Sequence, residues 1–257
     1  MTTMTIAIEQ IAPLTREVDA AAVATGAYQD LAALLETLDE DEWRAPTECR
    51  PWTVADMVGH VLGNAESAAS KREMLRQNLH GLRHAREYDG NAMDAYNALQ
   101  VAEHAALTPA ERVTALRALT APAVRGRMRT PALLRAVSLP VKSNGSVVEG
   151  MPTRANFGHL LDVIFTRDVF MHRIDVARAV GRGLVPTEND RRIVEDAVAE
   201  WARRHGRPVE VVLTGPAGGR FVQGVGGPRI DLDAFEFCRV LSGRAPGGGL
   251  LETKVFF

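Results

Sequence analysis

The sequence predicts a mainly α-helical protein with four main helices, an irregular crossover and a small α+β unit at its C-terminal end. Before Pro208, apolar residues recur at three- and four-residue spacing, as on the buried face of a helix. After Pro208, short apolar runs are bounded by glycine and proline, as strands and turns are. We therefore expect a helical domain over residues 1–184 and a small α+β domain over residues 185–257.

The individual helices follow from periodicity and from signals at their ends. Thr53 with Asp56, and Thr187 with Asp190, have the spacing of a capping box, in which two residues satisfy each other's free backbone N–H groups. Glycines at 181 and 183 end the longest helix. The predicted helical stretches are 15–38, 54–79, 81–100, 109–125, 154–180 and 187–204.

The remaining segments are predicted to be less regular. Proline and glycine interrupt residues 126–152, which predicts a crossover with one short helix near 133–137, long enough to cover a site. Residues 209–213 and 221–225 predict two strands, and 233–241 predicts a short helix. The glycine clusters near the C-terminal end lack the spacing of phosphate-binding loops and are interpreted as turns.

Composition argues against several functional classes. The formal net charge of −2 gives no electrostatic reason to expect nucleic acid or an anionic membrane as a partner. The two cysteines form no CxxC motif, which argues against a disulfide scaffold or zinc finger and fits a reducing cytoplasm. Glu9 interrupts the N-terminal apolar run, and no window approaches 18 apolar residues, so neither secretion nor membrane insertion is expected.

Three residues have the types and spacing of a metal site. Asp168 and His172 lie four residues apart, on the same side of the predicted helix 154–180, and interrupt its buried stripe. His60 lies on the second predicted helix and could supply a third ligand, leaving one position open for water or substrate. Acid and imidazole at this spacing also form plain hydrogen bonds, so the spacing by itself leaves metal binding open.

Longer motifs surround these residues. They are PWTVADMVGH, which ends at His60, RDVFMHRIDVA, which begins at Arg167, and Asp231-Leu232 followed by Ser242-Gly243-Arg244. With these motifs the chain resembles the mycothiol-dependent maleylpyruvate isomerase family, part of a wider DinB-like group of metal-binding proteins, over nearly its whole length. The resemblance implies a DinB-like four-helix bundle followed by a small α/β domain. It also implies a divalent metal, with zinc as the expected ion, bound by His60, Asp168 and His172.

The candidate site departs from the family pattern at one ligand. The family usually has Glu where this chain has Asp168, so either the helix lies closer to the metal or a water bridges the gap. Asp175 is predicted to orient a ligand from behind or to pair with a neighbouring arginine, and Asp56 to cap its helix or to support His60. His159 is half a turn out of phase with Asp168 and is left out of the ligand set.

The resemblance implies that mycothiol, the low-molecular-weight thiol of actinobacteria, binds the metal as a thiolate. That thiolate would add to a small electrophile, either isomerising an unsaturated diacid or transferring the thiol. Arginines would bind an anionic substrate, and Arg167, Arg173 and Arg244 are the candidates by position in the motifs. Two alternatives stay open: a metal-dependent hydrolase that activates water on the same ligands, and a non-catalytic binding protein. We expect a monomer or homodimer.

Overall fold

The computed structural model describes residues 5–140 and 149–257. Four of its helices, α1, α6, α3 and α9, pack side by side around a shared apolar core, and α4 and α5 lie against α3. The mainly helical architecture predicted from the sequence is confirmed. The α-helices in chain order are α1 (Ala20–Leu35), α2 (Glu40–Trp43), α3 (Val54–Ala69), α4 (Lys71–His84), α5 (Ala92–His104), α6 (Pro109–Met128), α7 (Ala132–Arg135), α8 (Phe157–His159), α9 (Phe165–Ala179), α10 (Glu188–His205) and α11 (Ala234–Leu241).

Both predicted capping boxes are present and define where α3 and α10 begin. The Thr53 side chain accepts a hydrogen bond from the Asp56 backbone, and the Asp56 carboxylate accepts one from the Thr53 backbone at 2.9 Å. Thr187 and Asp190 form the same pair at the start of α10. These caps fix the start of α3, so the position of His60, in the second turn of that helix, follows from the local sequence.

The predicted helix over residues 54–79 is wrong in one respect, because it is two helices. The backbone of Ser70 is extended, with φ −134° and ψ 119°, and this residue ends α3 and begins α4. The Ser70 hydroxyl accepts a hydrogen bond from the Glu73 N–H at 3.3 Å. A serine that offers its oxygen to the backbone competes with continued helix, which accounts for the break.

The predicted helix over residues 154–180 also begins later than expected. Residues Arg154–Asn156 form strand β3, which pairs with β2 (Ser138–Pro140) in a short antiparallel hairpin. Asn156 then caps α8 through its side chain, and a π-helical turn over Leu160–Ile164 joins α8 to α9. Residues 126–152, predicted as a crossover, contain strand β2 and the short helix α7 (Ala132–Arg135) expected near 133–137, and residues 141–148 fall outside the described residues.

The small sheet contains four strands in the order β1, β5, β4, β6. Its predicted strands are present as β4 (Val209–Thr214) and β5 (Gly219–Gln223), which are antiparallel, while β6 (Arg229–Asp233) was not predicted. The remaining strand, β1 (Thr5–Ala7), lies near the N-terminal end and pairs parallel to β5. The sheet therefore draws strands from both ends of the chain.

Within the described ranges, none of the helices is both long enough and apolar enough to cross a lipid bilayer.

Candidate metal site

The structure brings His60, Asp168 and His172 together between α3 and α9. The Asp168 carboxylate lies between the two imidazoles, with Oδ1 at 3.2 Å from His172 Nε2 and Oδ2 at 3.8 Å from His60 Nε2. One potential ligand atom from each residue lies within 4.8 Å of the other two. Both imidazoles are buried, whereas the Asp168 side chain is 21% exposed, so the group has one open side.

These distances fit a divalent metal. Nitrogen and oxygen ligands that surround a tetrahedral zinc at its usual bond lengths lie about 3.4 Å from each other. The separations of 3.2 and 3.8 Å around Asp168 bracket that value. The Asp168 carboxylate thus lies between the two imidazoles, with one oxygen toward each of them.

Asp175 lies behind His172 and has a 0% exposed side chain. Its Oδ2 accepts a hydrogen bond from His172 Nδ1 at 3.3 Å, and Arg244 donates to the same carboxylate at 3.0 to 3.1 Å. A carboxylate that holds the far nitrogen of a histidine fixes the direction of its near nitrogen. Asp175 thus combines the two roles predicted for it, although the arginine is Arg244, from the turn after α11.

Cys49 joins the same cluster, with its Sγ at 3.6 Å from Asp175 Oδ2. With His172 and Asp175 it forms a second group whose potential ligand atoms lie within 4.8 Å of each other. Burial and the charge of Asp175 raise the pKa of Cys49 to about 11. Burial and Asp175 thus outweigh the nearby Arg244 guanidinium, and the thiol stays protonated at neutral pH.

The two imidazoles differ in their electrostatic state. Burial outweighs the attraction of Asp168 for His60 and lowers the pKa of that imidazole to about 4. Burial also opposes the charged form of His172, but Asp168 and Asp175 outweigh it and raise its pKa to about 9. Burial would raise the pKa of Asp168, yet the neighbouring His172 holds it well below the usual range. At neutral pH, His60 is neutral and His172 is a cation between two carboxylates.

Several residues at the site were missed by reasoning from the sequence. The Trp52 ring centroid lies 4.9 Å from that of His60 and 6.4 Å from that of His172, so this half-buried ring forms an apolar wall beside both. Gln100 accepts a hydrogen bond from His60 Nδ1 at 2.8 Å, and Asn64 lies one turn beyond His60 on α3. Only Trp52, inside the PWTVADMVGH motif, carried a signal in the sequence.

Of the three arginines predicted to bind substrate, only Arg244 lies at this cluster. Arg167 is 0% exposed and donates to Asp196 of α10 at 2.6 Å, and Arg173 donates to Asp190 at 2.7 Å. Adjacent positions on a helix point about 100° apart, so these side chains leave α9 on a different side from Asp168 and His172. The geometry gives no support to substrate binding by Arg167 or Arg173.

The two further residues considered with the site also lie away from it. Asp56 is engaged in the cap of α3 with Thr53, so the capping role predicted for it is the one seen. His159, excluded from the ligand set, has its Nε2 at 3.6 Å from Glu200 of α10.

The fold and this cluster define a class of protein, a four-helix bundle with two histidines and a carboxylate converging between its helices. A family model described as the mycothiol maleylpyruvate isomerase N-terminal domain matches residues 24–177. Because that match covers more than half of the chain, the protein belongs to this family, and the resemblance found in the sequence is confirmed.

Two solved structures are similar to the whole chain. One is a crystal structure of the mycothiol-dependent maleylpyruvate isomerase, with a TM-score of 0.52 and 17% identity over 95% of this chain and 94% of that one. The other is a mutant of the mycothiol-dependent maleylpyruvate isomerase, with a TM-score of 0.52 and 16% identity over 93% and 92%. At this identity the likeness shows a shared fold. A comparison with curated proteins found no match.

Proposed function

We propose that this protein is a divalent-metal-dependent enzyme that uses a low-molecular-weight thiol of the mycothiol type to isomerise a small unsaturated acid or to transfer the thiol to a small electrophile. One observation carries the proposal: in a chain of this family, His60, Asp168 and His172 offer ligand atoms within 4.8 Å of one another. Zinc is the expected ion because two imidazoles and a carboxylate are among its usual ligands. We assign the activity to the cytoplasm, where such thiols stay reduced.

In this proposal the bound metal supplies a positive charge that lowers the pKa of a thiol and keeps it as a thiolate at neutral pH. His60, Asp168 and His172 hold the ion, and Asp175 and Gln100 orient the two imidazoles from behind. The Asp168 side chain is 21% exposed, so a thiol would reach an ion held here from this side.

Arg244 is the proposed contact for an anionic substrate. Its side chain is 21% exposed, and its guanidinium is held at Asp175, next to His172. A guanidinium recognises carboxylates through paired hydrogen bonds and stays charged at every relevant pH. Trp52 would limit access of water on the other side, because its ring lies against both imidazoles.

The test is the metal content of protein purified without a metal-binding tag, for wild type, His172→Ala and His159→Ala. The last is a matched control, because His159 is a half-exposed histidine outside the cluster. We expect about one zinc per chain in wild type and in the control, and loss of the metal in His172→Ala.

Turnover of maleylpyruvate with and without mycothiol then separates the possible activities. Thiol-dependent turnover that disappears with the metal supports the proposal. Metal-dependent turnover of ester or amide substrates without any thiol would instead make the protein a hydrolase. A wild-type protein that takes up no zinc would make it a non-catalytic member of the family.

A further inference from the structure

We propose that three amide side chains, Gln77, Gln100 and Asn64, form a relay with a fixed hydrogen-bond direction that sets the tautomer of His60 and presents the Asn64 amide N–H to the thiolate. The effect on the tautomer of His60 does not depend on any bound metal or thiol. The contact of Asn64 with the thiolate rests on the proposed function, because it takes His60 as a metal ligand. We call these three residues the amide relay.

The relay begins at a group that can only accept. Gln77 on α4 is fully buried and donates from Nε2 to the backbone carbonyl of Gly63 at 3.1 Å and to the Glu73 carboxylate at 2.8 Å. Neither a carbonyl nor a carboxylate can donate, so the nitrogen of the Gln77 amide must face them. Its oxygen therefore faces the next member of the relay.

Gln100 on α5 carries this direction to His60. It donates from Nε2 to Gln77 Oε1 at 2.8 Å, so its own oxygen faces His60 Nδ1, also at 2.8 Å. An amide oxygen can only accept, so His60 must carry its hydrogen on Nδ1. The lone pair on Nε2 then faces Asp168, as a metal ligand requires.

Gly63 makes this approach possible. A Cβ atom at that position would lie 2.4 Å from Gln100 Cγ, closer than any real contact, so only glycine lets the Gln100 side chain cross this turn of α3. The same residue thus supplies both the room and the carbonyl that starts the relay. The amide relay therefore depends on the way α3, α4 and α5 pack against each other.

The relay ends on Asn64, which faces the open site. Its Oδ1 accepts from Gln100 Nε2 at 3.1 Å and from the Tyr96 hydroxyl at 3.3 Å, so its amide nitrogen must point the other way. There Nδ2 lies 3.2 Å from His60 Nε2 and 3.4 Å from Asp168 Oδ2. Asn64 thus places a donor among groups that accept.

This donor has a definite use in the proposed reaction. If His60 Nε2 held a metal it would no longer accept from Asn64, and one amide hydrogen of Asn64 would be available to another acceptor beside Asp168. An anionic sulfur there would be its natural acceptor, since hydrogen bonds to charged groups are the stronger ones. Asn64 is therefore assigned as a thiol-positioning residue, oriented by Gln100 and Gln77.

The relay is tested first by nitrogen-15 NMR of the histidine rings in protein stripped of metal. Wild type is expected to show His60 as the neutral tautomer with its hydrogen on Nδ1. In Gln77→Met, the Gln100 amide keeps only the Asn64 oxygen as its acceptor and can turn around together with the Asn64 amide, so we expect a mixture of the two tautomers. Gln223→Met is the matched control, because Gln223 of β5 is a half-buried glutamine whose amide donates to the backbone carbonyls of Ala202 and Arg207, far from the amide relay.

A wild-type His60 that carries its hydrogen on Nε2, or a Gln77→Met protein with the same tautomer as wild type, would overturn the relay. Metal affinity is a second readout. Gln77→Met is expected to bind zinc about tenfold more weakly than wild type, as changes behind a metal-bound histidine do. Equal affinities in Gln77→Met and Gln223→Met would also contradict it.

The role of Asn64 is tested with Asn64→Leu, which keeps the shape and removes the donor, and with Asn64→Asp, which replaces the amide N–H by an acceptor. Both are expected to raise the KM for the thiol about tenfold or more, and in Asn64→Leu the KM is expected to change more than the kcat measured at saturating thiol. An unchanged KM in both variants would overturn the thiol contact.

Failure of the proposed function would look different. Wild-type protein would then show no thiol-dependent turnover at all, while the tautomer of His60 would still report on the amide relay.

Discussion

Two sides of the same helix, α9, carry buried charges and use them for different purposes. On one side, Arg167 and Arg173 meet Asp196 and Asp190 of α10, and each charge has a partner of opposite sign at 2.6 to 2.7 Å. On the other side, Asp168 and His172 converge with His60 on a partly open point. The first side stabilises the packing of α10 onto the bundle, and the second is a candidate for chemistry.

Burial of charge is therefore a poor guide to a site in this protein. The Arg167 side chain is 0% exposed and that of Asp168 is 21% exposed. Arg167 nevertheless only forms ion pairs between α9 and α10. What marks the other side is that potential ligand atoms from two helices lie within 4.8 Å of one another at a partly open place.

Removing the charge of Arg167 is expected to cost the most stability. Arg167→Met would leave Asp196 and Glu200 buried without their cation, and unpairing a buried ion pair costs about 3–5 kcal/mol of unfolding free energy. Chemical denaturation measures the loss, with Arg203→Met at an exposed position of α10 as the control.

The effects on metal content are expected in the reverse order of the effects on stability. Arg167→Met that remains folded is expected to keep its zinc, whereas His172→Ala loses zinc with a smaller loss of stability. If Arg167→Met loses the metal while still folded, the two sides of α9 are coupled and the division fails.

Low pH should reduce the stabilisation that the buried charges between α9 and α10 provide. Burial opposes ionisation of Glu200, but Arg167 and His159 outweigh it and lower its pKa to about 2, from an ordinary value of 4.5. A carboxyl with a lowered pKa in the folded state contributes its full stability above pH 4.5 and loses it as the pH falls toward 2.

The expected size of this contribution is on the order of 3 kcal/mol. The measurement compares the pH dependence of unfolding free energy in wild type and Glu200→Gln between pH 6 and the acid limit of folding. Glu200→Gln should lose less stability over this range. Parallel curves would mean that Arg167 does not lower the pKa of Glu200.

The smallest expected effect concerns the ligand that departs from the family pattern. The Asp168 carboxylate already lies between both imidazoles, so the extra methylene of Asp168→Glu moves the carboxylate away from this position. We expect zinc to bind about tenfold more weakly, with less than about 1 kcal/mol change in stability at this partly exposed position. Competition with a chelator measures the affinity, and tighter binding than in wild type would show that the site is built for glutamate.

The sequence predicted the helical frame and the three converging residues for a physical reason. Capping boxes at Thr53 and Thr187 and a long apolar stripe are local signals, and they fix helix starts and faces directly. The break at Ser70 also carried such a signal, since Ser70 and Glu73 have the spacing of a capping box, but the apolar periodicity across it favoured one long helix.

Other features depend on contacts between distant residues and left no local trace. Parallel pairing of β1 with β5 joins two segments that lie far apart in the chain, and a strand of three residues has no detectable alternation. Gln77 and Gln100 lie on different helices, and an isolated glutamine looks like any solvated residue. The ion pairs of Arg167 and Arg173 with α10 could not be foreseen either, because their partners lie far away in the sequence.

The position of β1 in the sheet bears on how this chain can be divided. The family match spans residues 24–177, and a fragment cut there would lose β1 together with the whole small sheet. A complementary fragment from residue 178 onward would contain β5 with the edge that β1 covers left bare, and bare strand edges recruit other chains. The N-terminal strand β1 thus covers the edge of the C-terminal sheet. A fragment that contains this sheet should therefore also include β1.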